Sequence, residues 1–291
     1  MKIGWIGTGV MGAPMAGHLQ AAGHSLFIYN RSKEKTRGLI ERGGTWCESP
    51  AAAAMQAECV FTMVGHPADV EDVYYGESGI FSAMGGPCRI LVDMTTSPPS
   101  LAEQIARTAA ERGIAALDAP VSGGDIGARN AQLAIMVGGD KQIFEELLPL
   151  FQALGTNISH MGGAGRGQHT KMCNQILVAG TIAGTCESLL YAEVMGLDEQ
   201  AVIDIIGKGA AGSWTINNLG PRIVRGDYDP GFFVEHFIKD MGIALREAEA
   251  CGLSLPGLAL IHQLYVAVRA QGHGRLGTQS LILGLRALNG R

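Results

Sequence analysis

The chain carries little charge and no excess of the positive sign. Charged residues fill 17% of its 291 positions and the formal net charge is -5. Without a basic field, neither nucleic acid nor a membrane surface is expected as a partner. The six cysteines, Cys47, Cys59, Cys88, Cys173, Cys186 and Cys251, lie far apart with no C-x-x-C pair, which argues against a disulfide framework or a zinc knuckle. His66, His160, His169 and His236 show no H-x-x-x-H or carboxylate spacing, so no metal site is expected. No apolar run reaches the roughly 20 residues that span a bilayer. The most apolar stretch, Ile176 to Cys186, is broken by glycine and threonine and reads as a buried helix. Met1 leads straight into a strand-like segment without the basic and apolar regions of a leader. A cytoplasmic, reducing location follows as the expectation.

What is abundant is apolar residues, at 47%, and glycine, at 42 residues, twice the ~7% share of an average protein. The glycines are scattered, which suits tight turns and close backbone approaches more than a linker. From Lys2 to about His160 short apolar runs alternate with longer amphipathic stretches, the pattern of repeated βα units. Strands are expected at 3–6, 25–29, 59–64, 90–93, 115–119 and 133–137. Ser49 before Pro50 and Asp140 before the run 141–153 read as helix starts. After Gly162-Gly163-Ala164-Gly165 the strand signals stop and helical periodicity takes over, with breaks near Gly196, Gly212, Asp229-Pro230 and Pro256-Gly257. The expected fold class is therefore α/β: a Rossmann-type, doubly wound, largely parallel sheet domain over 1–163. An all-α C-terminal domain over 164–291 is expected to serve substrate binding and assembly into a homodimer or homotetramer.

Gly7-Thr8-Gly9-Val10-Met11-Gly12 directly follows the first strand and opens a helix. In that context G-x-G-x-x-G is a dinucleotide fingerprint: Gly7 for the turn, Gly9 for backbone approach to a pyrophosphate, Gly12 for helix–strand packing. The second strand ends at Asn30-Arg31-Ser32, without the acid that an NAD site places on the ribose hydroxyls. Arg31, Asn30 and Ser32 offer donors to a 2′-phosphate, with Lys33 and Lys35 adding charge, so NADP is preferred over NAD. Asp118-Ala119-Pro120-Val121-Ser122-Gly123-Gly124 presents a hydroxyl and two glycine N–H groups, suited to a carboxylate or to an ordinary turn. Asp118 and Asp125 are expected to brace that loop, and Trp5, Trp46 and Trp214 to pack, with Trp214 also a candidate for the pocket wall. Lys171, Asn174 and Gln175 fall at i, i+3 and i+4 on one helix face. Lys171 precedes an uncharged run, where desolvation would favour the neutral amine and fit it for acid/base work; by its own position it reads equally as an ordinary surface lysine.

Through these residues the sequence resembles the β-hydroxyacid dehydrogenases of the 3-hydroxyisobutyrate dehydrogenase type, over nearly its whole length. Gly7 to Met15 matches the family's G-x-G-x-M-G-x-P-M, Asp93 to Thr96 its D-x-S-T segment, and Asp118 to Gly124 its D-x-P-V-S-G-G. Gly165 to Gln175 matches G-x-G-x-x-x-K-x-x-N-[NQ], and Lys239-Asp240 matches the late K-D pair. The resemblance implies that Ser122, Gly123 and Gly124 hold a substrate carboxylate, that Lys171 is the catalytic acid/base, and that Asn174 and Gln175 orient the substrate. It further implies that Thr96 and Lys239 contact the cofactor near its nicotinamide. Met63, and Val64-Gly65, which stand in place of the family's Leu-Pro, are expected to contact it as well. The implied reaction is hydride transfer between NADP(H) and a short β-hydroxyacid or its semialdehyde. The alternatives are an NADPH-dependent glyoxylate or succinic semialdehyde reductase, and a non-catalytic dinucleotide-binding scaffold.

Overall fold

A computed structural model describes residues 1–83 and 85–291. The chain divides into two compact units, Met1–Lys171 and Met172–Arg291. The first alternates strands and helices: β1 (Lys2–Ile6), α1 (Gly12–Ala21), β2 (Ser25–Tyr29), α2 (Arg37–Ile40), β3 (Thr45–Trp46), α3 (Pro50–Ala54), β4 (Cys59–Thr62) and α4 (Pro67–Tyr75). There follow β5 (Ile90–Asp93), α5 (Pro99–Ala110), β6 (Ala115–Asp118), β7 (Val121–Ser122), α6 (Gly124–Arg129), β8 (Leu133–Gly138), α7 (Lys141–Gln152) and β9 (Gly155–Gly162).

These strands form one sheet in the order β3-β2-β1-β4-β5-β6-β8-β7, with β9 also paired to β8. From β3 through β6 every pairing is parallel, and β8 runs antiparallel to β6 and β7. The order 3-2-1-4-5-6 reverses direction between β1 and β4, and ligands of such sheets sit beyond the carboxyl ends of the strands at that switch. The central strands β1, β4 and β5 are buried on both faces because helices cover both. Ile3, Trp5, Phe61 and Val92 turn into one core, and Ile6, Val60 and Leu91 into the other, as the two-residue strand period requires. Ser49 and Asp140 cap α3 and α7 with their side chains, matching the expected starts.

Three strands escape the sequence reading. β3 and β7 are two residues long, too short to show a period, and β9 is largely exposed and polar, with Thr156, Asn157, Ser159 and His160 among its residues. The predicted strand 59–64 stops at Thr62, leaving Met63 and Val64 in the following loop.

The boundary between the units falls inside α8 (Arg166–Val194). After it come α9 (Glu199–Ile206), α10 (Trp214–Asn218), α11 (Gly220–Val224), α12 (Val234–Ala250), α13 (Pro256–Val268) and α14 (Leu281–Leu288). The helical core gathers Ile182, Leu189, Phe237, Tyr265 and Leu281. Tyr265 meets Phe237 edge-on at 5.1 Å and donates its hydroxyl to the Thr278 carbonyl at 2.7 Å. The stretch Ile176 to Cys186 is only half buried: Ala179, Ile182 and Cys186 face inward, while Leu177 is 70% exposed. The apolar character of the stretch therefore overstates its burial: one helix face turns inward and the other stays exposed. No helix among the described residues is long and apolar enough to cross a membrane, and all six cysteines are free thiols.

Candidate active site

The loop after β1 is held from three sides. The Gly7 N–H donates to the Tyr29 carbonyl at 2.9 Å, Trp5 Nε1 donates to the Gly7 carbonyl at 2.8 Å, and the Thr8 N–H donates to Asn30 Oδ1 at 2.9 Å. Trp5 is thus both a packing residue, stacked on Phe61 at 5.7 Å, and a brace for the loop. The three glycines serve three purposes. Gly7 sits at φ 97°, where side chains are strained, and a Cβ there would run into the Met63 carbonyl. A Cβ on Gly12 would run into the Gly7 carbonyl, whereas a Cβ on Gly9 would meet nothing within 4 Å. That open space beside the start of α1 is what a dinucleotide phosphate needs. The helix start has no side-chain cap and no acidic residue in its first turn, so its N–H groups and dipole suit an anion. Val10 is exposed and Met11 packs against the core.

At the end of β2, Asn30 is engaged within the loop, since its Nδ2 also donates to the Ser32 carbonyl at 2.8 Å. Its part is to tie Thr8 to Ser32. The Arg31 side chain is 87% exposed, with Nη1 3.4 Å from Asp69 Oδ1. Such an exposed pair holds its arginine weakly and leaves it able to turn to a ligand. Lys33 lies 5.1 Å over the Trp46 ring, and Lys35 is exposed on the turn after Ser32.

Beyond β4 and β5 a polar network, buried around Asp93, organises the loops. The Val64 N–H donates to Thr95 Oγ1 at 3.0 Å, and the His66 N–H to Asp69 Oδ2 at 3.0 Å. Gly65 lies between them, where a Cβ would come within 3.2 Å of Asp69 Oδ2. Met63 is half buried against the core, its N–H donating to the Ile6 carbonyl at 2.8 Å. Asp93, at the end of β5, accepts from Thr62 Oγ1 at 2.8 Å, the Thr95 N–H at 3.0 Å and Ser97 Oγ at 3.4 Å. Burial pushes its carboxyl up to about 6, against the opposing pull of the Thr62 and Thr95 donors. Thr96 is half buried between the buried Thr95 and Ser97.

Asp118 is Asp93's register partner on β6, and burial raises its carboxyl also. It does not brace the Ser-Gly-Gly loop. Its Oδ1 accepts the Gly165 N–H and its Oδ2 the Gln168 N–H, both at 2.8 Å, so it caps the start of α8. The expectation failed because the capped residues lie 47 and 50 positions further along the chain. Asp125 instead pairs with Arg129 at 2.7 Å. Ser122 ends β7, and Gly123 and Gly124 follow at φ 134° and 62°, conformations that favour glycine.

Lys171 lies on α8 with 6% of its surface exposed, a depth at which lysines are rare. α8 continues unbroken through Asn174 and Gln175. In the second unit, Asn174 Nδ2 donates to Gln175 Oε1 at 2.7 Å and Gln175 Nε2 to Asp240 Oδ2 at 2.7 Å. Lys239 Nζ stands 3.1 Å from Asp240 Oδ1, a charge contact whose angles fall short of a hydrogen bond. Asp240 thereby links Gln175, and through it Asn174, to Lys239, a junction that the K-D pair alone does not reveal. Trp214 heads α10 and is 61% exposed. Among the described residues no group of three or more His, Cys, Asp or Glu is placed to hold a metal ion.

Residues 2–163 match the NAD-binding domain of 6-phosphogluconate dehydrogenase, and residues 165–285 match the NAD-binding domain of NADP-dependent 3-hydroxyisobutyrate dehydrogenase. A probable 3-hydroxyisobutyrate dehydrogenase-like protein of Arabidopsis thaliana, described as mitochondrial, is 49% identical over 99% of this chain and 86% of its own. The 2-hydroxy-3-oxopropionate reductase of Escherichia coli is 38% identical over 99% of this chain and 98% of its own. Among solved structures, the 3-hydroxyisobutyrate dehydrogenase of Mycobacterium tuberculosis with L-serine superposes with a TM-score of 0.88. It is 29% identical and the match covers 98% of this chain and 99% of that one.

Proposed function

The chain belongs to the β-hydroxyacid dehydrogenases of the 3-hydroxyisobutyrate dehydrogenase type, NAD(P)-dependent oxidoreductases that act on CH–OH donors, and from that premise we propose how it works and on what. Its substrate is a short β-hydroxyacid or the corresponding semialdehyde, and its preferred cofactor is NADP(H). The observation that carries this reading is the burial of Lys171 on a helix whose start is capped by Asp118. A lysine kept from water and held by a fixed helix is suited to proton transfer and unsuited to a merely solubilising role.

When bound, the nicotinamide gives or takes the hydride. The chain supplies the rest. Gly7, Gly9 and Gly12, with Val10 and Met11, form the phosphate cradle, and Arg31, Ser32 and Lys35 face the 2′-phosphate around the loop that Asn30 ties. Met63, Val64, Gly65, Thr96 and Lys239 attend the nicotinamide end. Ser122, Gly123 and Gly124 anchor the substrate carboxylate, and Asn174 and Gln175 orient its hydroxyl carbon. Lys171 Nζ accepts the hydroxyl proton during oxidation and returns it to the developing alkoxide during reduction. Residues 1–163 form the cofactor domain, and 164–291 the substrate and assembly domain of a cytoplasmic homodimer or homotetramer.

The test is a screen of NAD(P)H absorbance at 340 nm. NADPH and NADH are offered with glyoxylate, succinic semialdehyde, tartronate semialdehyde and methylmalonate semialdehyde. The oxidised cofactors are offered with 3-hydroxyisobutyrate, L-serine and 3-hydroxypropionate. Turnover of at least one carboxylate-bearing substrate, faster with the phosphorylated cofactor, is the expected result. Cofactor binding without any turnover would replace this reading with that of a dinucleotide-binding scaffold.

A further inference from the structure

Gln168 carries a polar side chain with no solvent exposure, one turn before Lys171 on α8. Its Oε1 accepts the Ser97 N–H at 3.1 Å, while Nε2 donates to the Thr95 carbonyl at 2.7 Å and to Ser97 Oγ at 3.3 Å. A carbonyl can only accept and a backbone N–H can only donate, so these two partners fix which end of the amide is which. The Gln168 backbone N–H is taken by Asp118. The first turn of α8 is therefore held twice, from β6 through Asp118 and from the segment after β5 through the Gln168 amide.

The surrounding backbone leaves that turn little room to slide. A Cβ on Gly167 would come within 2.7 Å of the Asp118 carbonyl oxygen, and one on Gly138 within 2.9 Å of the Arg166 nitrogen. Residues three apart on a helix share a face, so Lys171 inherits whatever height and rotation the Gln168 amide imposes. The same amide grips the residues on both sides of Thr96. We propose that Gln168 is a positioning residue which locks the Thr95–Ser97 segment to the first turn of α8 and so sets Thr96 and Lys171 together. The inference rests on the assignment of Lys171 as the proton carrier.

Two substitutions in the full chain separate positioning from packing. Gln168→Met keeps length and volume but removes the amide. Gln168→Glu keeps the shape and an acceptor for the Ser97 N–H in either state but, when ionised, turns a second acceptor toward the Thr95 carbonyl; once protonated, the carboxyl donates there. The charges on Asp93 and Asp118, the titratable groups bonded into this cluster, favour that protonated form. Gln168→Met should lower kcat by about 10- to 10²-fold, the effect of misplacing a reacting group by roughly 1 Å, while KM for the substrate stays within about three-fold. Gln168→Glu should match that loss near about pH 8 and regain much of it near about pH 6 relative to wild type, which Gln168→Met should not do. Independently of turnover, Lys171 acetylation in the cofactor-free protein, counted by mass spectrometry against exposed Lys35, should rise several-fold in Gln168→Met.

If both variants keep kcat within about two-fold per folded molecule, or if melting temperature falls while the acetylation ratio stays at the wild-type value, the inference is overturned. If Gln168→Met does not fold, the pH recovery of Gln168→Glu decides. If wild type turns over no substrate of the screen, the activity reading has failed, and the acetylation ratio alone decides this one.

Discussion

Replacing Gly9 by alanine should leave the fold intact and impair cofactor binding, whereas the same change at Gly7 or Gly12 should impair the fold itself. Gly9 lies outside the left-handed region and a Cβ there meets no atom within 4 Å, so Gly9→Ala is neutral or stabilising by about 0.4–1 kcal/mol through the unfolded chain. In the proposed phosphate cradle the added methyl instead occupies the space of a phosphate. At the usual cost of overpacking, about 1–3 kcal/mol, NADPH affinity falls by about 5- to 150-fold. Gly7→Ala incurs a left-handed residue at roughly 1–2 kcal/mol plus the collision with Met63 at about 1–3 kcal/mol. Gly12→Ala incurs the collision with the Gly7 carbonyl. Thermal melts and NADPH fluorescence titrations of the three variants, side by side, read both effects. A Gly9→Ala protein that binds NADPH as wild type does, or that melts as early as Gly7→Ala, would refute the argument that Gly9 is there for a ligand.

Other outcomes follow from the same geometry. Arg31→Ala should weaken NADPH by about 10-fold or more, the worth of a charge-assisted hydrogen bond, and NADH far less; titrations with both cofactors decide, and equal losses would mean that Arg31 stacks on adenine instead. Aldehydes and alcohols without a carboxylate should show kcat/KM values about 10²-fold or more below their acid analogues, and comparable values would remove the Ser122–Gly124 anchor. Asp93, raised in the fold to about 6 from roughly 3.9 unfolded, contributes stability that is complete below about pH 4 and is lost as pH rises through about 6, a span of about 3 kcal/mol. Asp93→Asn should flatten melting temperature against pH in that window, leaving the slope that Asp118 supplies; an unchanged slope would show that Asp93 ionises in the fold as readily as in water.

Most of what positions the site could be read in the residues. The βα alternation, the glycine loop after β1 and the caps at Ser49 and Asp140 are local signals, in which a few neighbours along the chain decide the backbone. The short and edge strands were illegible because β3, β7 and β9 owe their pairing to the sheet beside them. Asp118 and Gln168 were misread or missed for the same reason: a carboxylate at the end of a buried strand looks local until the fold brings a helix start to it. One signal was available, because the glycines at 165 and 167 stand where a helix must begin against the ends of β6 and β8. Asp240, legible only as half of the K-D pair, shows no sign in the sequence of its bond to Gln175, which the packing of α8 and α12 creates.

The central claim is that Lys171 moves the substrate proton, and Lys171→Met tests it most directly. The thioether fills much the same volume but can neither accept nor return a proton. With the best substrate of the 340 nm screen, kcat should fall by about 10²- to 10⁴-fold, the span of a general acid/base, while NADPH binding by fluorescence and the melting temperature stay close to wild type. A folded Lys171→Met protein that binds NADPH and turns over at close to the wild-type rate would contradict the account.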